Sequence, residues 1–209
     1  MKSAIAAAAL LALAACTYAE PKGMLDLDSA YGNDGSRAAV AAHRYLLHRP
    51  TGIAAFPDGG VAKITDQVVD VYVVDLASRK LLYAHAIDPP GKRSMVALDA
   101  WLLGWQGDDA YVRLTGCPAG FWTRYTGCHG DLRKTYVYKV SRDGAELAGE
   151  PLPELRRHGK LDKIVGPEIP DSERNYLSTD DGVWVRRGAK GPRELVLRLD
   201  GQRLEPVVD

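Results

Sequence analysis

The stretch "RELVLRLDGQRLEPVV" (Arg193–Val208) alternates apolar and polar side chains, turns at Asp200-Gly201, and runs on into a second segment that again carries apolar residues. Leu195, Leu197 and Leu199 fall on one side of an extended chain, with Arg198 and Asp200 on the other. A period of two marks a half-buried strand, because successive side chains point to opposite faces. Asp-Gly between two such runs signals a hairpin: tight hairpin turns need a positive φ, which glycine adopts without steric cost.

Two other segments repeat this design. They are "VDVYVVDL" (Val69–Leu76) and "KTYVYKVS" (Lys134–Ser141), followed by turns at Ser78-Arg79-Lys80 and Arg142-Asp143-Gly144 and by the returning runs "LLYAHAI" and "AELAGEPL". A further hairpin precedes each of the three. "GIAAFPDGGVAKIT" turns at Asp58-Gly59-Gly60, "LDAWLLGWQGDDAYVRLTG" at Gly107-Asp108-Asp109, and "NYLSTDDGVWVRRG" at Asp180-Asp181-Gly182. The pattern predicts an all-β protein of three tandem four-stranded antiparallel units over about residues 51–88, 97–153 and 174–209. Such repeated hairpins resemble the blades of a β-propeller, without a Trp-Asp blade ending or a kelch double glycine. Closed propellers have about four to eight blades. Three units therefore imply incomplete closure, a strand borrowed from residues 24–50, or a twisted β-sandwich. Ser36–His48 is the one segment that reads as a short helix, with Ser36 as cap and Pro50 as stop, although "RYLLHR" fits a strand equally well.

The N-terminus has a different character. Lys2 is the only charge before Glu20, and Ala4–Ala15 is an unbroken apolar run. It is too short for a membrane-spanning helix, which needs about 20 residues, and fits the apolar region of a secretory signal. The run ends in Leu13-Ala14-Ala15-Cys16, which resembles the lipobox of bacterial lipoproteins. The resemblance implies that residues 1–15 are removed and that Cys16 is lipidated on its thiol and acylated on its new amino group. The anchored protein would face the periplasm, and Thr17 points to the outer rather than the inner membrane. The alternative is ordinary cleavage near Ala19. Residues 16–25 then form a tether and residues 26–209 a single β-rich domain. Loss of Lys2 from 27 basic and 27 acidic residues leaves a net charge near −1, which offers no electrostatic footprint for nucleic acid.

With Cys16 taken by lipid, Cys117 and Cys128 remain as a pair in an oxidising compartment, and a disulfide is expected. The rival reading is a zinc site with His129, but structural zinc spacings are missing. The ten residues between the cysteines include Phe121, Trp122, Arg124 and Tyr125. Aromatic and arginine side chains of this kind dominate binding hot spots, and covalent closure lowers the ordering cost of binding. The other reading is that Phe121 and Trp122 fold back to plug one end of the β core.

Signals for catalysis are weaker. Asp108-Asp109 and Asp180-Asp181 are acid–base candidates, yet both occupy turns, where Asp bonds its own backbone. "DLDSAYGNDG" (Asp26–Gly35) departs from the calcium-loop pattern at Ala30 and Tyr31, leaving Asp26, Asp28, Asn33 and Asp34 as irregular candidates. His43, His48, His85, His129 and His158 show no metallohydrolase spacing, and no serine elbow or phosphate loop occurs. No cofactor or metal is implied. The expectation is a non-enzymatic binding module for a protein or envelope component, of the build of inhibitors and immunity proteins. The alternative is an envelope hydrolase acting on glycan or peptide, with a carboxylate pair beside His85 or His129.

Overall fold

The computed structural model describes residues 19–32, 35–49, 51, 63–87, 95–118, 128, 130–155, 170, 172, 175–179 and 181–207. These carry β1 (Lys22–Tyr31), β2 (Arg37–His48), β3 (Lys63–Asp75), β4 (Lys80–Ile87), β5 (Met95–Gln106) and β6 (Asp109–Pro118). After a 3-10 turn at Gly130–Leu132 follow β7 (Lys134–Ser141), β8 (Gly144–Leu147), β9 (Asn175–Ser178), β10 (Gly182–Arg187), β11 (Arg193–Asp200) and β12 (Arg203–Pro206). The strands form three antiparallel four-stranded sheets in chain order: β1–β4, β5–β8 and β9–β12. The fold is all-β with three tandem four-stranded antiparallel units, as expected, but the first runs from Lys22 to Ile87 rather than over 51–88: "KIT" and "VDVYVVD" belong to the single strand β3, and β1 and β2 come from upstream.

The first sheet lies between the other two. One buried cluster joins Ala39, Ala41, Val69, Val71 and Val73 of the first sheet to Leu102, Trp105, Val112, Leu114 and Val140 of the second. A separate cluster joins Ala38, Val40, Ala42, Tyr72 and Val74 to Leu177, Val183, Val185, Leu197 and Leu204 of the third. In β2 the odd-numbered residues face one layer and the even-numbered residues face the other. Six consecutive residues, Ala38–His43, are buried as a result. A strand covered on both faces reads as a continuous apolar run rather than an alternating one. Alanine on both faces lets the outer layers approach closely.

This arrangement corrects the expected helix at Ser36–His48. The run "RAAVAAH" pairs with β1 on one side and β3 on the other, Ala41 lying opposite Asp28 and Val71. Alanine's helix preference amounts to tenths of a kcal/mol per residue, and burial of both strand faces overrides it. The propeller resemblance is also corrected. The first sheet begins at Lys22, within the expected tether, and no sheet closes into a barrel or propeller. Among the described residues no buried cluster joins the second sheet to the third, so the three units do not close into a ring. The turn at Asp58-Gly59-Gly60 lies outside the described residues.

Hairpin chemistry follows the sequence closely. Gly107 and Gly201 sit in the tight turns with φ near 58°. Gly182, at the start of β10, is required for a different reason: a Cβ there would stand 2.7 Å from the Leu197 carbonyl oxygen. A bulge between Val183 and Trp184 breaks the alternation expected around Leu195. Val196 and Leu197 are both buried, and Leu195 lies outside the core cluster.

Three polar contacts fasten β1, the edge of the central sheet, to its neighbours. Asp28 Oδ2 accepts the Leu102 N–H at 2.8 Å, and the Ala30 carbonyl accepts the Trp105 indole N–H at 3.3 Å. On the other side the Tyr31 hydroxyl accepts the Leu177 N–H at 2.6 Å. Burial raises the Tyr31 pKa, so the phenol stays protonated. Between β2 and β3, Arg44 Nη2 meets Asp70 Oδ2 at 2.6 Å with both side chains mostly shielded from water.

Candidate functional site

Cys117 lies near the end of β6, where it pairs with Val96 of β5, and it is fully buried. Its sulfur is bonded to Cys128, with the two Cα atoms 5.5 Å apart. The expected disulfide is therefore present. It roots both ends of the intervening segment in the second sheet. Phe121, Trp122, Arg124 and Tyr125 themselves lie outside the described residues, as do His129 and Cys16. The chain leaves the bridge through the 3-10 turn, closed by the Arg133 N–H on the Gly130 carbonyl at 3.1 Å. Arg133 then pairs with Asp99 of β5 at 3.1 Å. Leu132, in that turn, is 49% exposed, and Trp101, two residues beyond Asp99 on β5, is 43% exposed. The second sheet thus presents apolar surface near the root of the closed segment.

Three of the four carboxylates considered for acid–base work make contacts with neighbouring side chains. Asp108 Oδ1 pairs with Arg37 at 2.8 Å and Asp109 Oδ2 with Lys139 at 3.4 Å. Lys139 has its pKa raised, chiefly by the Asp109 charge. Asp181 Oδ1 accepts the Trp184 indole N–H at 2.6 Å. Asp180 lies outside the described residues, as do Asn33, Asp34 and His158. Asp26 and Asp28 belong to β1, a regular strand rather than a calcium loop. Among the described residues no three His, Cys, Asp or Glu side chains group as metal ligands. His85 Nε2 lies 3.1 Å from the Arg142 carbonyl, and its ring leans on Tyr83. His48 Nε2 lies 2.9 Å from Thr65 Oγ1.

One polar cluster escaped the sequence reading. His43 is 4% exposed and stands directly across from Asp26 in the β1–β2 register. Its ring lies 4.7 Å from that of Tyr45. Burial lowers the His43 pKa, opposed by the charges of Asp26 and Asp99 and by a hydrogen bond that the ring donates to Gln67. Tyr45 is pushed up to about 12, first by burial and then by its hydrogen bond to Asp26 and the charges of Asp26 and Asp99. A neutral histidine enclosed in this way organises the seam between the first two sheets, but has little access to a substrate. Finding it requires the register of β1 on β2, which no local motif encodes.

No protein-family model matches the chain, and no curated protein or solved structure matches it either. The resemblance of Leu13-Ala14-Ala15-Cys16 to a lipobox is accordingly not sustained. That stretch lies outside the described residues, and no relative carries it over to this chain. Among the described residues no helix is long and apolar enough to cross a membrane.

Proposed function

We propose that the protein is a non-enzymatic binding module that works in an oxidising, periplasm-type compartment and engages a protein or envelope component. The disulfide carries this reading. A bridge between the end of β6 and Cys128 closes a segment rich in aromatic residues on a rigid sheet, which lowers the entropy lost when that segment meets a partner. A persistent disulfide also suits an exported protein, because cytosolic thiols are kept reduced. Exposed Trp101 on β5 and Leu132 in the 3-10 turn after the bridge add apolar surface to this reading. The turn carboxylates are already engaged by Arg37, Lys139 and Trp184, so they favour this reading over hydrolysis.

The test is capture of a partner from envelope extract by the immobilised protein, compared with a Trp122→Ala/Tyr125→Ala double variant. Loss of two hot-spot aromatics weakens capture by about tenfold or more. Circular dichroism and the melting temperature stay those of the wild type. Undiminished capture by a folded double variant overturns the proposal.

A further inference from the structure

The second sheet has one face on the core and one turned away from it. Val112 and Leu114 of β6 and Tyr138 and Val140 of β7 belong to the buried cluster, so the odd-numbered residues of these strands point outward. The register sets the outward residues in rows. Trp101 of β5 lies directly opposite Arg113 of β6, and Arg113 opposite Val137 of β7. In the adjacent row Asp99 lies opposite Thr115, and Thr115 opposite Thr135. Trp101 is 43% exposed. Arg113 and Thr135 are exposed as well, and Val137 is half-buried.

Polar groups surround the indole. Arg133 reaches from the start of β7 across the width of β6 to Asp99, both side chains being about half exposed. An ion pair so open to water contributes little, so either end turns to a ligand at small cost. The Thr115 and Thr135 hydroxyls stand 3.4 Å apart. Arg113 differs from Arg133: among the described residues it forms no ion pair, side-chain hydrogen bond or ring contact. Protein interfaces cluster several aromatic anchors and keep charge away from their centre. This sheet face instead sets one exposed indole among hydroxyls, a carboxylate and two guanidinium groups, which suits a sugar ring. The C–H face of a pyranose is flat and apolar and covers an aromatic ring, while its rim of hydroxyls pairs with carboxylate, hydroxyl and guanidinium groups. Arg113 beside the indole is the complement of a carboxylate carried on that sugar, because its fork of donors meets two oxygens at once.

We propose that the outward face of the second sheet binds a glycan that carries carboxylates. A sugar ring stacks on Trp101, its carboxylate is held by Arg113, and its hydroxyls meet Asp99, Arg133 and the threonine pair. The inference rests on the binding-module reading and gives its envelope component a chemical class. It uses none of the residues between the two cysteines.

The experiment titrates the full chain with N-acetylmuramic acid, N-acetylglucosamine and lactate, which present the ring with its carboxylate, the ring alone and the acid alone. NMR follows the Trp101 indole N–H, and saturation transfer to the sugar protons follows the variants. N-acetylmuramic acid shifts the indole resonance saturably and binds about tenfold or more tighter than either of the other probes, as expected for an added charge-assisted pair. Trp101→Ala weakens it by about tenfold or more. Arg113→Gln lowers it to the affinity of N-acetylglucosamine. Both side chains are exposed, so the variants keep the wild-type circular dichroism. No shift with N-acetylmuramic acid, equal binding of it and either other probe, or wild-type affinity in either folded variant overturns the proposal. Capture of a protein that Trp101→Ala abolishes and N-acetylmuramic acid does not displace also overturns it, and makes the face a protein interface. The wider reading fails separately. Loss of capture in the Trp122→Ala/Tyr125→Ala variant without any sugar shift keeps the binding module and removes the glycan. A sugar shift with undiminished capture in that variant keeps the glycan and removes the closed segment from recognition.

Discussion

The second sheet meets the central one through Trp105, Leu102 and Leu114, whereas the third meets it through Leu177, Val183, Val185 and Leu197. The first of these junctions contains a fully buried tryptophan whose indole is hydrogen-bonded to Ala30, together with a carboxylate from Asp28 on the Leu102 amide. The second is built mainly from aliphatic side chains and is clasped by the Leu177 N–H on the Tyr31 hydroxyl and by a hydrogen bond between Tyr72 and the Leu204 backbone. The strands differ as well. β5 and β6 have 12 and 10 residues, whereas β9 and β12 have four each. Longer strands bury more area and make more ladder bonds, so the two outer layers hold to a shared centre with unequal strength. An unequal pair of interfaces should open in order, the weaker first.

The sharpest way to break this comparison is Trp105→Ala. A large buried aromatic lost to alanine costs about 3–5 kcal/mol, a sizeable share of the about 5–15 kcal/mol that stabilises a typical domain. The urea midpoint should fall accordingly. Leu197→Ala, which costs about 2–5 kcal/mol, should lie toward the lower end of that range. Equal losses would mean that the two junctions are equally strong.

Tyr31→Phe refines the comparison from the other side. It leaves the Leu177 N–H without its acceptor, at a cost of about 1–3 kcal/mol. Native-state hydrogen exchange should quicken in β9 and β10 while β5–β7 keep wild-type protection. Quickening in all three sheets would show that the layers open as one unit.

The smallest effect concerns His43. Its folded pKa lies below the ordinary histidine value because burial disfavours the charged ring. Above that ordinary value, near 6.5, both the folded and the unfolded chain hold it neutral. As pH falls below it, the unfolded chain takes a proton that the folded chain refuses until its own lower pKa is reached. Stability falls across that window by at most about 1.4 kcal/mol per pH unit. His43→Gln should flatten the slope of stability between neutral and mildly acidic pH, as read from urea unfolding. An unchanged slope would mean that the His43 proton is not linked to folding.

The outer hairpins were the legible part of the fold. Asp200-Gly201 and Gly107-Asp108 place positive φ where the turn demands it, and "KTYVYKVS" alternates because one of its faces meets the core. The central layer was hard to read for the opposite reason. Ala38–His43 is buried on both faces, so its period vanishes and an alanine-rich run imitates a helix. The disulfide was legible once Cys16 was set aside and an oxidising compartment was assumed. The surroundings of Arg186 were not: Arg187 next to it in the chain is exposed, while Arg186 turns to Tyr176 and stands opposite Arg193. Its partner is a neighbour in the sheet rather than in the chain.

Burial of β2 on both sides also affects how the sheet stays aligned. In most half-covered strands a slip of one residue turns the core face to water, and that penalty fixes the pairing. In β2 a slip would largely set alanine where alanine had been, so greasiness alone holds little positional information. Alignment rests instead on a few polar keys: Arg44 against Asp70, His43 across from Asp26, and Asp28 reaching the Leu102 amide. Each fits one lock along the strand. A chain stripped of these keys would retain its oil-like interior and lose its address within it.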